Sequence, residues 1–158
     1  MLVADTGAVL ALLDRSDAHH AEIRAIYAED PDAWLLSWAI LPEIDYLLTS
    51  HVGARAQRLW FDDIASGAFA LDWNARDLAA AQAIAERYAD LEIGLVDAVV
   101  MATAERLRGD IVTLDLRHFG AVRLAHGPRL LPRDRTRRPR VRRSRLRCVL
   151  RSDLGYRS

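Results

Sequence analysis

The 158-residue sequence contains no lysine, and its 22 strongly basic residues are all arginine. This absence excludes mechanisms that need a lysine side chain, including a P-loop and Schiff-base catalysis. Cysteine is almost absent as well. Cys148 stands alone, which excludes an intrachain disulfide framework and a cysteine metal cage. No apolar run approaches the roughly 18 residues of a membrane-spanning helix, so the sequence predicts no transmembrane segment.

The amino terminus, MLVADTGAVL, also lacks the features of a secretory leader. No basic residue precedes its short apolar run, and we therefore expect no signal peptide and a cytoplasmic protein. What the chain does have is 51% hydrophobic residues, which is the content of a folded globular domain.

The net charge of zero conceals two oppositely charged parts. Residues 133–158 contain 11 arginines and two acids, a balance of +9, whereas residues 1–132 contain 11 arginines and 20 acids, a balance of −9. We therefore predict a folded domain over 1–132 and a disordered arginine-rich tail over 133–158. The tail could bind phosphates, fold back on the acidic domain or be a non-native extension of the reading frame.

Within the domain, short apolar runs of strand type alternate with segments of helical periodicity. This alternation predicts an α/β fold with a mainly parallel sheet between layers of helices. The predicted strands are 2–5, 33–38, 68–73 and 110–115, with a short one at 122–124, and the predicted helices are 7–17, 18–30, 40–53, 54–67, 75–91 and 95–109.

Three aspartates lie where such a sheet places its ligands, beyond the carboxyl ends of the strands. Asp5 and Asp115 end predicted strands, and Asp97 lies near the start of a helix, among apolar residues. An ionised side chain in apolar surroundings is costly unless it is compensated. Taken singly, each aspartate has an ordinary explanation as a turn, a cap or a partner of a helix dipole.

A fourth acid comes from the helix that carries LPEIDYLL. Glu43 and Asp45 border its apolar stripe on opposite sides, and periodicity does not choose between them. Carboxylates that converge repel one another, and a multivalent cation would stabilise them in the ionised form. Oxygen ligands without a cysteine or an obvious histidine favour Mg²⁺ or Mn²⁺ over zinc.

Four segments in this order, ADTG, LPEIDYLL, GLVDAVVMATAERL and DIVTLDLRHFG, resemble PIN-domain ribonucleases, and more narrowly the VapC toxins of type II toxin–antitoxin systems. The resemblance runs from about Leu2 to Leu131. It implies a three-layer α/β/α sandwich and Mg²⁺- or Mn²⁺-dependent endoribonuclease activity, and it selects Glu43 over Asp45. The implied catalytic and metal-binding quartet is Asp5, Glu43, Asp97 and Asp115.

The resemblance also implies roles. Asp5 and Asp97 would be the principal metal ligands, while Asp115 and Glu43 would complete the cluster, hold a second ion or orient a metal-activated water that attacks phosphorus. Thr6 would orient the first aspartate or contact a phosphate. Arg117 follows the strand near the site, so it could hold a phosphate. Thr113 and His118 are interpreted as structural.

Further implied partners are a cognate antitoxin and a second toxin subunit, with transfer or ribosomal RNA as substrate. The runner-up function is an inactive PIN fold that binds RNA or protein. DTG at 5–7 also occurs in aspartic proteases, but that fold is all-β, and a dehalogenase-type phosphatase would want an aspartate where Gly7 stands. The aromatic residues lie mostly in apolar stripes, so we expect core or subunit packing rather than base stacking.

Overall fold

A computed structural model describes residues 1–135, and the predicted tail from residue 136 onward lies outside the described residues. Within residues 1–135, no helix is both long and apolar enough to cross a membrane. The strands are β1 (Leu2–Ala4), β2 (Trp34–Ser37), β3 (Ala70–Asp72), β4 (Asp110–Val112) and β5 (Leu130–Leu131), and the helices are α1 (Thr6–Leu13), α2 (His20–Glu29), α3 (Leu41–Leu47), α4 (Ala54–Ser66), α5 (Asp77–Arg87) and α6 (Leu95–Leu107).

The five strands form one parallel sheet in the order β3-β2-β1-β4-β5. Ala4 of the central strand is level with Leu36 on one side and Val112 on the other, so the carboxyl ends of three strands meet at one edge. The predicted α/β fold with a parallel sheet is confirmed.

The position of the last strand was predicted wrongly. Residues 122–124 form no strand, and β5 is Leu130–Leu131, where the backbone carbonyls of Arg129 and Leu131 accept from Ile111 and Thr113. The backbone N–H of Val122 instead donates to the His118 carbonyl within a turn. A segment of two or three residues is too short to show a hydrophobic periodicity. The sequence therefore could not distinguish 122–124 from Leu130–Leu131 as the last strand.

Both faces of the central strands are covered, which is why these strands are mainly apolar. Val3, Trp34 and Leu36 have no exposed surface, and Ile111 is almost fully buried. Helix α6 contributes an unbroken buried run from 98 to 104. Asp97, immediately before this run, is therefore held by a helix whose position is fixed by the core.

A cluster of hydrogen-bonded and ion-paired side chains links the β3–α5 connection to α6. The Arg106 guanidinium donates to both Asp77 carboxylate oxygens at 2.7 and 2.9 Å and also to Asp72, and the Thr103 hydroxyl donates to Asp77 at 2.8 Å. Burial alone would raise the pKa of Asp77, but the hydrogen bonds from Arg106 and Thr103 outweigh it and hold that pKa below its usual value. The two ends of the loop 73–76 are thus tied to one arginine.

The first residues of the predicted tail contact the domain. Asp134 is buried, and one of its carboxylate oxygens accepts from the backbone N–H of Leu130 at 3.0 Å. Arg135 forms an ion pair with Glu29 at the end of α2. Residues 133–135 therefore pack against the body of the domain.

Candidate active site

Asp5 leaves the central strand at the carboxyl edge of the sheet. Its backbone N–H continues the ladder by donating to the Val112 carbonyl at 3.0 Å, and its side chain is only 5% exposed. The Thr113 hydroxyl donates to Asp5 Oδ2 at 2.9 Å. Asp5 is therefore a buried carboxylate with a fixed orientation, at the position that the sequence predicted.

Asp115 also reaches this edge, but it does not end a strand as predicted. Strand β4 ends at Val112, and Asp115 lies in the turn that follows. Its backbone N–H donates to the Thr113 hydroxyl at 3.0 Å, and its Oδ1 accepts the backbone N–H groups of Arg117 and His118 at 2.8 and 3.1 Å. Because Thr113 contacts both aspartates, it links the ends of β1 and β4.

His118 lies between two of the predicted catalytic carboxylates. Its Nδ1 is 2.9 Å from Asp97 Oδ2, which the first turn of α6 contributes, and 3.0 Å from Asp115 Oδ2. Ligand atoms of these three residues all lie within 4.8 Å of one another, a grouping that could hold a metal ion. His118, which the sequence analysis interpreted as structural, thus contacts two of the predicted site residues.

Glu43 joins the same region from the first turn of α3, and Thr6 connects it to α1. The Thr6 hydroxyl donates to Glu43 Oε2 at 2.5 Å, while the backbone N–H of Thr6 is hydrogen-bonded to the Asp5 carboxylate. Asp45, the alternative that the sequence left open, instead accepts from Gln57 Nε2 at 2.7 Å. The charge of Glu43 also raises the pKa of Asp97.

The carboxylates oppose one another's ionisation. Burial, together with the charges of Asp97 and Asp115 and against the hydrogen bond from Thr113, raises the pKa of Asp5 to about 7. Burial also raises the pKa of Asp97, against hydrogen bonding by His118 and together with the charges of Asp115 and Glu43. The cluster therefore gains from any added positive charge.

The donor set fits a divalent cation. Three aspartates and a glutamate offer the hard oxygen ligands that Mg²⁺ and Mn²⁺ prefer, while an imidazole is a ligand that several transition metals accept. His118 Nδ1 lies within 4.8 Å of ligand atoms of Asp97 and Asp115, so one imidazole nitrogen stands beside the carboxylates.

The other residues that the sequence analysis named differ in their solvent exposure. Arg117 is exposed, and within residues 1–135 its guanidinium forms no ion pair. Trp34 and Trp60 are buried in the core, as expected. Tyr46, Phe61 and Trp73 are instead 68%, 55% and 67% exposed, and they do not belong to the core.

Comparison with known proteins agrees with this geometry. The model of the PIN domain family matches residues 2–124. Ribonuclease VapC26 of Mycobacterium tuberculosis is 35% identical over 130 residues, which span 81% of this chain and 96% of that protein.

Two solved structures show the same fold. One is the Mycobacterium tuberculosis toxin VapC20, described as cleaving the sarcin-ricin loop, with a TM-score of 0.69, 22% identity and coverage of 77% of this chain and 95% of that one. The other is DNA-bound VapBC from Salmonella typhimurium, with a TM-score of 0.63, 18% identity and coverage of 82% and 95%.

Proposed function

Because the chain belongs to the PIN-domain family, we propose that it is a metal-dependent endoribonuclease and the toxin of a type II toxin–antitoxin pair. The observation that carries this proposal is the meeting of Asp97 and Asp115 at His118, with Asp5 and Glu43 beside them. The curated relative at 35% identity is a ribonuclease, which supports the same activity. The activity would reside in a domain of residues 1–132, followed by an arginine-rich tail over 133–158 whose first three residues contact the domain.

The residues of the cluster would have different roles in catalysis. Asp5 and Asp97 would be the principal cation ligands, Asp115 and Glu43 would complete the cluster, and the Thr113 hydroxyl would keep Asp5 in orientation. A bound divalent cation would lower the pKa of a water molecule and offset the negative charge that grows on the phosphate oxygens. No lysine or cysteine nucleophile lies among these residues, and hydrolysis by water needs none.

We propose Mg²⁺ as the resident ion, with Mn²⁺ as an effective substitute, since all four proposed ligands are carboxylates. The exposed guanidinium of Arg117 would contact a substrate phosphate beside Asp115. The substrate would be a structured RNA, either transfer or ribosomal RNA, in the cytoplasm. A structural relative described as cleaving the sarcin-ricin loop supports this class of target.

The proposed partners are a cognate antitoxin and a second copy of the chain. Several structural relatives are toxin–antitoxin complexes, including one from Klebsiella pneumoniae. Helices α3 and α4 and the short π-helix Leu48–Val52 between them expose apolar side chains that such partners would cover, namely Tyr46, Val52, Leu59 and Phe61.

An inactive PIN fold that only binds RNA or protein is the alternative. Inactivation would leave no reason to keep four acids together, since buried carboxylates that repel one another destabilise a fold. The presence of all four acids and of the hydroxyls that orient them therefore favours the nuclease.

The activity is tested by mapping RNA 5′ ends. Purified protein incubated with total RNA and Mg²⁺ should create defined new ends, and EDTA should abolish them. Asp5→Asn should abolish them as well, whereas Asp45→Asn, which changes an acid outside the cluster, should leave the pattern intact. RNA cutting that persists in EDTA would contradict the proposal.

His118→Ala should raise the Mn²⁺ concentration that gives half-maximal cleavage by about 10- to 100-fold, the usual cost of losing a group that holds metal ligands. The reason is that His118 positions two carboxylates at once. A purely structural role would lower activity at every Mn²⁺ concentration without moving the midpoint. His19→Ala, at an exposed histidine, is the matched control.

A further inference from the structure

The short loop between β3 and α5, residues 73–76, exposes a tryptophan. Trp73 is 67% exposed, whereas tryptophan is highly buried on average. Within residues 1–135 its indole ring contacts no other aromatic ring. An exposed indole offers a flat aromatic face on which a nucleobase can stack.

This exposure does not result from a loosely held loop. Arg106 binds Asp72 immediately before the loop and Asp77 immediately after it. Inside the loop, Asn74 Oδ1 accepts the backbone N–H of Arg76 at 3.0 Å. The loop is therefore ordered before any ligand binds, which reduces the entropy that binding would cost.

The sheet register places this loop beside the carboxylate cluster. Ala4, Leu36 and Leu71 are aligned across β1, β2 and β3, so the next residues, Asp5 and Asp72, stand at the same level. Two strand spacings separate them, a distance of about 10 Å. An RNA strand whose scissile phosphate lies at Asp5 would pass this loop with its neighbouring nucleotides.

The charge distribution adds a second argument. Residues 1–132 carry a balance of −9, so the domain as a whole repels RNA and needs local cations to hold it. Arg76 is exposed at the loop, and its guanidinium forms no ion pair within the described part of the chain. Arg117 offers a similar cation after β4, on the other side of the cluster.

We propose that Trp73 and Arg76 form a binding subsite for a single-stranded RNA segment next to the scissile phosphate. The inference rests on the nuclease function proposed above. The indole would stack on a base, and the guanidinium would contact a backbone phosphate. Stacking is tolerant of sequence because every base has a π-face, so the subsite contributes affinity and position rather than base identity.

The test measures binding of a short, fluorescein-labelled, single-stranded RNA by anisotropy. All variants carry Asp97→Asn so that the probe is not consumed. A second probe of equal length has abasic ribose throughout, which keeps the phosphates and removes the bases. Trp73→Ala should weaken binding of the normal RNA about tenfold and leave the abasic probe unaffected, while Trp73→Phe should retain most of the affinity.

Arg76→Ala should weaken binding of both probes and reduce the salt dependence by about one phosphate contact. Arg24→Ala, which removes an exposed arginine of α2 away from this loop, should change neither. Equal affinity of Trp73→Ala and its parent for the normal RNA would overturn the subsite. The subsite would also be overturned if Trp73→Ala had a lower molecular mass in solution than its parent and showed no base-dependent loss of RNA affinity. Trp73 would then contact a second copy of the chain. Failure of the parent chain to cut RNA would contradict the nuclease but not this binding result.

Discussion

Replacing Asp97 with asparagine should lower the rate of RNA cleavage by about 10³-fold, and at the same time raise the thermal stability of the metal-free protein. The loss follows from removing a cation ligand, since the charge stabilisation that a metal supplies is several kcal/mol and each 1.36 kcal/mol changes a rate tenfold. The gain follows from the electrostatics of the cluster. Burial and the charges of Asp115 and Glu43 raise the pKa of Asp97, so its ionised form is disfavoured in the folded state.

Asparagine preserves the shape of the side chain and can still accept a hydrogen bond from His118, which is 2.9 Å away. Single-turnover cleavage and a melting curve in EDTA, recorded on the same preparation, measure the two effects. Asp45→Asn is the matched control, because Asp45 lies near Glu43 in sequence but bonds to Gln57. Cleavage by Asp97→Asn at the parental rate would remove Asp97 from the mechanism, and a lower melting temperature in EDTA would contradict the repulsion argument.

The sequence predicted the sheet and the position of Asp5 because both depend on local pattern. Apolar strands buried on both faces are recognisable without knowledge of their neighbours, and a polar residue directly after such a strand must lie at the sheet edge. The residue at which β4 ends was harder to predict. The β-branched segment VTLD continues the strand pattern, but the Thr113 hydroxyl accepts the backbone N–H of Asp115 and begins a turn.

The remaining features of the site depend on contacts between distant segments. Glu43 and Asp45 border the same helical stripe, and periodicity does not separate them. The family resemblance selected Glu43, and the physical distinction is the contact of Glu43 with Thr6. His118 contacts Asp97, 21 residues earlier in the chain, and nothing in the turn after β4 reveals this. Its spacing of three residues from Asp115 was the one local indication, because both side chains then fall on the same turn.

The stability of the metal-free protein should rise as the pH falls from about 8 to about 5, with Asp5 as the main cause. Burial raises the pKa of Asp5 from 3.8 to about 7. Between these values the folded protein holds a proton that the unfolded chain has lost. The stabilisation is therefore fully present below the unfolded pKa and is lost as the pH rises through about 7. A pKa difference of this size corresponds to at most about 4 kcal/mol.

A divalent cation should reverse this dependence, because it binds the ionised form of Asp5. Added Mn²⁺ should therefore raise the melting temperature more at pH 8 than at pH 5.5. Asp5→Asn cannot titrate, so its stability in EDTA should vary less over this range, and its response to Mn²⁺ should be small at both pH values. A melting temperature of the parent protein in EDTA that falls steadily from pH 8 to pH 5 would show that Asp5 is ionised without a metal, and would remove the electrostatic reason for a cation at the cluster.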